Sequence, residues 1–196
     1  MSLIYTRPHD VRVYEYRGQT EPVFYQKHGK KVGLAENFML GVENSKTKYI
    51  CRMDDDENSL PFSDALMILK NHSEIKAVHP IYHIVSINEM SQWTLHNIVP
   101  YPQGAGIVYD REAFLSIGGY DTSLDYQADL DFYIRFVLRW GCMMPYAGVY
   151  YWNRNGENRS LNDKVKVLEV RKSILNKYGF QDSDVPQFGM YAYVRS

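Results

Sequence analysis

The chain has 196 residues, 45% hydrophobic and 23% charged, which is enough apolar material for a buried core and too much for a disordered segment. Its 22 Lys and Arg nearly balance 23 Asp and Glu, and this near-neutral charge, with no long basic cluster, argues against nucleic acid as the main partner. No apolar run approaches the roughly 20 residues of a membrane-spanning helix and MSLIYTRPHD lacks a secretory signal's apolar stretch, so the expectation is one cytoplasmic domain, with peripheral membrane attachment and oligomerisation left open.

Leu3–Thr6, Val11–Tyr16 and Val23–Gln26 are predicted strands, punctuated by Gly18 and Pro22. From Val32 to Val42, Leu34, Phe38 and Val42 recur at helical spacing. Lys48–Met53 is a predicted strand that runs straight into Asp54-Asp55-Asp56-Glu57. Asn58 or Ser59 is then expected to cap a helix with Pro61 in its first turn and Leu66, Ile68 and Leu69 on its buried face. Ala77–Ile87 holds one or two strands broken near Pro80. Residues 88–103 have no clean period and are expected to form a long, shaped loop carrying Trp93, His96 and Tyr101.

Gly106–Tyr109 is a predicted strand, Asp110 a helix cap, and Arg111–Ile117 a short helix closed by Gly118-Gly119. A longer helix is expected over Ala128–Trp140, ending at Gly141, then a strand over Met143–Tyr151. Ser160 is expected to cap a final amphipathic helix with Leu161, Val165, Leu168, Leu175 and Tyr178 on its apolar side, ending at Gly179. This alternation predicts an α/β fold with a single mixed, Rossmann-like sheet flanked by helices. Cys51 and Cys142 belong to no ligand cluster and are expected to be buried free thiols. Most of the 17 tyrosines are expected in strands and core.

Two acidic segments carry the chemistry. In open α/β sheets ligands collect beyond the carboxyl ends of strands, where Asp54, Asp55 and Asp56 are expected. Crowded carboxylates favour a bound cation, and hard oxygen ligands suit Mg2+ or Mn2+. A solvated acidic turn is the plain alternative. Further on, Asp129 falls in the first turn of the helix that starts at Ala128, and Asp131 is spaced to pair with Arg135. Either carboxylate could serve the helix start, or face a cleft and take a proton.

Together these blocks resemble the family-2 glycosyltransferases of the A-type fold. The family's strand, Asp-x-Asp and following proline are matched by YICRM-DDDENSLP. Its Gly-rich strand, short helix, Gly-Gly-aromatic-Asp turn and acidic helix start are matched by GAGIVYDREAFLSIGGYDTSLDYQADLDFYIRFVLRWG. Gly33-Leu34-Ala35-Glu36-Asn37 is similar to the family's Gly-to-Asn helix start, and YYWNRNGENRS to its aromatic, Arg, His and Ser segment. The resemblance covers about residues 22–178. It implies a metal-dependent, inverting transfer of a sugar from a nucleotide-diphosphate sugar to a hydroxyl of a carbohydrate or other acceptor. Asp54 and Asp55 would handle the donor with Arg154, while Asp54, Asp56 and Asn155 would hold Mn2+ or Mg2+. Asp129 would be the base. From the residues themselves, Trp93, His96 and Tyr101 could stack on sugar faces of the acceptor or pack under their loop, with Asp131 also on the acceptor side.

The sequence also departs from the family. Asp54 comes sooner in the chain, no Asp-Gly-Ser follows the second strand, Ala128 stands at an acidic position and Asn155 near that of a histidine. The expected organisation is one domain over 1–196: an atypical nucleotide-binding front at 1–30, the metal, donor and acceptor region at 31–160, and a C-terminal helix and tail at 161–196. Lys30, Lys31, His79, His83 and Arg159 are secondary candidates for phosphate or metal contacts. Two rival readings are a carbohydrate- or partner-binding domain derived from a transferase, and a nucleotidyltransferase.

Overall fold

The computed structural model describes residues 1–7, 9–16, 22–54, 58–60, 62–87, 94–96, 104–141, 143–154 and 163–184; of residues 58–60, 81–87, 94–96, 147 and 149–154 it describes the backbone alone. Among these, nine strands form one mixed sheet: β1 Ser2–Arg7, β2 Asp10–Glu15, β3 Phe24–Lys27, β4 Tyr49–Asp54, β5 Asn58–Leu60, β6 Ala77–Ile87, β7 Thr94–His96, β8 Val108–Asp110 and β9 Met144–Arg154. Their order is β3-β2-β1-β4-β8-β6-β9-β5, with β7 paired to β6. The helices are α1 Leu34–Asn44, α2 Ser63–Asn71, α3 Arg111–Ser116, α4 Ala128–Trp140 and α5 Lys164–Tyr178.

β4 is buried from Tyr49 to Met53, as a strand covered on both faces should be. On one face Ile4, Val11, Val13 and Ile50 pack against Phe38 and Val42 of α1, Phe114 of α3 and Phe132 and Phe136 of α4. On the other, Tyr49, Cys51, Met53 and Val108 pack against Phe62, Ala65 and Leu69 at α2. Side chains two apart on a strand share a face, so Arg52 and Asp54 follow Ile50 toward the α1–α3–α4 side. α5 stacks on α4 through Leu130, Ile134, Ile174 and Leu175.

The front of the sheet is a meander. β1 runs parallel to β4, pairing Ser2 with Ile50 through Thr6 with Asp54, while β2 is antiparallel to β1 and β3 antiparallel to β2. No helix lies among the described residues between β1 and β3. β1 and β3 therefore end on the same edge of the sheet. Buried Asn37 of α1 ties those ends together: its Nδ2 donates to the Arg7 carbonyl at 2.5 Å and its Oδ1 meets His28 Nε2 at 2.6 Å. Asn37 in the Gly33–Asn37 segment is thus an architectural residue.

Several expectations are corrected. Asn58 and Ser59 do not cap a helix; they pair with Tyr151 and Tyr150 of β9, and α2 starts at Ser63 with Phe62 at its N-cap. Pro80 does not break β6. The strand continues through a register shift between Pro80 and Tyr82, where the missing N–H of proline is tolerated. Thr94–His96 within the expected loop is a strand paired with β6. Val165 and Leu168 are 71% and 61% exposed; among the described residues the apolar packing of α5 comes from Val170 onward. α4 keeps its expected bounds, and Asp110 caps α3 by accepting from the Ala113 N–H at 3.1 Å. Cys51 is a buried free thiol; Cys142, Ser160 and Leu161 lie outside the described residues.

Candidate functional site

The site sits where β4 ends beside β1. The Arg52 guanidinium grips the Asp54 carboxylate with two parallel bonds, Nε to Oδ1 at 3.1 Å and Nη2 to Oδ2 at 3.0 Å. Thr6, opposite Asp54 in the parallel register, adds a weak contact from Oγ1 at 3.4 Å. Such fork-to-fork pairs fix orientation as well as charge. The Arg52 side chain is 9% exposed and that of Asp54 23%, so the carboxylate remains the accessible partner.

The second half comes from α4. Asp129 is half-buried in its first turn, with Oδ1 accepting from the Leu130 N–H at 2.9 Å. The turn in front is unusual: Gln127 adopts φ 59°, a left-handed conformation that a non-glycine residue rarely takes and that clusters at functional sites. Gly104 joins the two halves. A Cβ placed there would lie 2.5 Å from Tyr120 Oη, 2.7 Å from Arg52 Nη1 and 3.1 Å from Asp129 Cβ. Arg52, Tyr120 and Asp129 therefore converge on one point, and only glycine leaves room there. Arg52 also accepts a backbone bond at its carbonyl from the Gly106 N–H at 3.0 Å, which fixes the 104–106 turn over the strand.

Tyr120 enters from the Gly118-Gly119 turn. Gly119 has φ 62°, and a side chain there would strike Met39, whose sulfur accepts the Tyr120 N–H at 3.3 Å. Burial is the main reason its hydroxyl is pushed up to about 12; Asp129 adds to the rise and Arg52 opposes it. Burial likewise pushes the Cys51 thiol far up, so it is no nucleophile.

Asp131 does not face the cleft. It is 1% exposed and is held by Arg135 Nη2 at 2.7 Å, Lys177 Nζ at 3.1 Å and Tyr178 Oη at 2.8 Å. Arg135 also donates to the Ile117 and Gly119 carbonyls at 2.6 and 2.8 Å. The expected Asp131–Arg135 pair is present, but it braces α4 against α5 and the glycine turn, and it leaves no acceptor-facing oxygen of the kind expected from sequence.

Asp55, Asp56, Asn155, Trp93, Tyr101 and Arg159 lie outside the described residues, and of Arg154, His96 and His83 only the strand backbone is described. Lys30 and Lys31 are exposed, and Lys30 lines a cleft of about 480 Å³ with Lys27, His28, Glu36 and Glu43, beyond β3. His79 is half-buried, with Nδ1 3.2 Å from the Pro80 carbonyl. Among the described residues no group of three His, Cys, Asp or Glu could hold a metal ion. Asp54 is the described member of the expected ligand set, and its carboxylate is held by Arg52.

Sequence reasoning missed Arg52, Gly104 and Tyr120. The signal for Arg52 was available: it stands two residues before Asp54 on a strand, and hence on the same face.

With this geometry in hand, the fold can be placed among known structures. It matches GalNAc-T7 crystallised with UDP, GalNAc and Mn2+ at a TM-score of 0.54 and 13% identity, over 74% of this chain and 36% of that one. It also matches residues 1–349 of S. aureus TarS at 0.52 and 11% identity, over 82% and 50%. The architecture is that of the glycosyltransferase A-type fold, and at these identities the likeness concerns the fold alone. The chain spans about a third of the first structure and half of the second. No protein-family model and no curated protein matches it.

Proposed function

We propose that this chain is a glycosyltransferase domain of the family-2 type that moves a sugar from a nucleotide-diphosphate sugar to a hydroxyl acceptor with inversion. The observation that carries this reading is the convergence of Asp54, at the carboxyl end of β4, and Asp129, at the start of α4, on either side of Arg52, Tyr120 and Gly104. Paired carboxylates on a strand end and a helix start suit a displacement with a donor on one side and a base on the other. The neighbour GalNAc-T7, crystallised with UDP and GalNAc, makes a nucleotide-sugar donor the first class to try.

In this reading Asp54, oriented by Arg52, accepts hydrogen bonds from donor hydroxyls. Asp129 takes the acceptor proton as that oxygen attacks the anomeric carbon, whose bond to the donor's diphosphate breaks as the nucleoside diphosphate leaves with the electron pair. One-step displacement inverts the anomeric carbon. The reading includes Mn2+ or Mg2+, with Asp54, Asp56 and Asn155 as the candidate ligands; no step above depends on it. Asp55 and Arg154 belong to the donor side, Trp93 and His96 to the acceptor side.

The test is transfer from a panel of UDP-, GDP- and dTDP-sugars, with Mn2+, to simple sugar acceptors, followed by nucleotide release and product NMR. Asp129→Asn should keep UDP binding and lose transfer by at least about a hundredfold, the usual lower scale for a lost general base. Transfer that survives this change, or a product with retained configuration, would refute the assignment. A second reading, a transferase-derived module that binds a carbohydrate without reacting, is favoured by one observation: the antiparallel meander at the front of the sheet. Sugar binding without any nucleotide release across the panel would select it.

A further inference from the structure

Arg135 does more than pair with Asp131 one turn back on α4. Its Nε lies 2.8 Å from Asp131 Oδ2, while Nη1 and Nη2 reach out of the helix to the Ile117 and Gly119 carbonyls at 2.6 and 2.8 Å. Those carbonyls belong to the turn that closes α3, where the Gly118 N–H donates to the Leu115 carbonyl and the Gly119 N–H to the Phe114 carbonyl. One guanidinium therefore clamps the first turn of α4 to the end of α3. The connection between them, residues 120–127, must enter α4 where that clamp leaves it. The entry is unfavourable taken alone. Gln127 is left-handed at φ 59° and ψ 23°, and its Oε1 is buried with no hydrogen-bond partner among the described residues. A conformation of this kind persists only where the surroundings over-determine it.

We propose that Arg135 is a positioning residue for Asp129: by clamping the Ile117 and Gly119 carbonyls to α4 it holds the left-handed entry at Gln127, and with it the Asp129 carboxylate, in place. The inference rests on the reading of Asp129 as the base. The first N–H groups of a helix have no partners within it, so the first turn resists unravelling weakly by itself. Here it is closed by the Asp131 N–H on the Gln127 carbonyl at 3.1 Å and by the Leu130 N–H on Asp129 Oδ1 at 2.9 Å. Relaxation of Gln127 to ordinary backbone angles would break both bonds and carry Asp129 away from its junction with Arg52 and Gly104. Two other ties on the connection, Lys166 to Asp125 at 3.0 Å and Tyr126 to Asp163 at 3.2 Å, come from the start of α5 and act before Gln127 in the chain. Arg135 is the group that holds the helix on the far side of that residue. One residue thus orients each carboxylate of the site: Arg52 orients Asp54, and Arg135 orients Asp129.

The test is Arg135→Lys in the full chain, read by amide hydrogen exchange in 15N spectra well below the variant's thermal midpoint. A lysine can still meet Asp131, but its single ammonium cannot reproduce the fork that holds both carbonyls. Exchange at Leu130 and Asp131 should quicken about tenfold, the scale set by release of one strained residue, while Val137 and Trp140 keep the parent's rates. Adding Gln127→Gly removes both the left-handed penalty and the buried oxygen, and should bring the Leu130 and Asp131 rates back toward the parent's. With the best donor of the UDP-sugar panel, kcat of Arg135→Lys should fall about tenfold to a hundredfold, the scale of a misplaced reacting group, with donor KM within about twofold. The double variant should recover most of that loss. Unchanged exchange at Leu130 and Asp131 would mean that the clamp does not hold the first turn, and quicker exchange with an unchanged kcat that it does not serve Asp129. Quicker exchange along the whole helix, or a lysine variant that fails to fold and is not restored by Gln127→Gly, would mean that Arg135 serves the fold at large. Each of these overturns the proposal. If the parent chain transfers no sugar, the reading of Asp129 as base fails by itself, while the exchange rates still decide whether Arg135 holds the entry to α4.

Discussion

Replacing Asp131 with asparagine separates a carboxylate that braces the fold from one that meets the acceptor. The side chain is 1% exposed and takes donors from Arg135, Lys177 and Tyr178. Removing one partner of a buried ion pair costs about 3–5 kcal/mol, because the other charge is left uncompensated. Here the cost is reduced twice. Arg135 keeps its bonds to the Ile117 and Gly119 carbonyls, and Lys177 is 55% exposed, so its share is that of a surface pair, about 0–1 kcal/mol. Asparagine also retains one acceptor oxygen. We expect a loss of about 2–3 kcal/mol, which for a chain of this size lowers the thermal midpoint by about 5–10 °C. Circular dichroism melts of the parent, Asp131→Asn, Tyr178→Phe and the double variant supply the cycle, and a coupling of about 1 kcal/mol is expected between the two positions. A midpoint within about 1 °C of the parent, together with weakened acceptor binding, would refute the bracing argument and return Asp131 to the acceptor site.

The same network predicts an alkaline limit. Lys177 is raised above its ordinary 10.5, first by its bond with Tyr178 and then by Asp131; Tyr178 is raised above 10.0, first by burial and then by Asp131. Folding favours both protonated forms, so their stabilisation is complete below pH 10.0 and is lost as pH rises through the raised values. Melts across that range should fall above pH 10.0, and Asp131→Asn should remove part of the fall. Gly104→Ala should cost about 1–3 kcal/mol by overpacking, read as a lower denaturant midpoint, and should abolish transfer, since its methyl would meet Tyr120 and Arg52 at 2.5 and 2.7 Å. Arg52→Gln removes the fork that holds Asp54 and should weaken UDP binding about tenfold in calorimetry, a loss of 1.4 kcal/mol; unchanged binding would remove Arg52 from the donor site.

What could be read from sequence depended on whether a segment's conformation is decided by its own residues. α4 was legible at both ends, with the acidic first turn of Asp129 and Asp131 in front and Gly141 closing the helix behind. Asp110 and the Gly118-Gly119 turn were legible for the same local reasons. Asn58–Leu60 and Thr94–His96 were not. Each is three residues long with no period of its own, and each is a strand because β9 or β6 offers it an edge. Val165 and Leu168 misled because amphipathic spacing shows which face could be buried, and not how far along the helix a partner reaches. Asp131 misled in the opposite way: its pair with Arg135 was visible in the spacing, but the donors that finish burying it come from α5, far along the chain.

The meander at the front changes less of the site than its topology suggests. Asp54 depends on β4 and on the strand beside it, and that neighbour is β1, parallel and in register from Ser2–Ile50 to Thr6–Asp54. β2 and β3 lie farther out, and neither pairs with β4. What the antiparallel turn alters is the rim beyond β1, where Arg7, His28 and Asn37 are bound to one another at the strand ends. Under the proposed function, the Asp54 carboxylate keeps its seat on the β1–β4 pair, and the rim beyond β1 is the surface that would meet a nucleotide base. Two separable expectations follow from this division. Changes at Thr6 or Arg52 should act on whatever Asp54 holds, whereas changes at His28 should alter which nucleotide is preferred and leave the orientation of Asp54 intact.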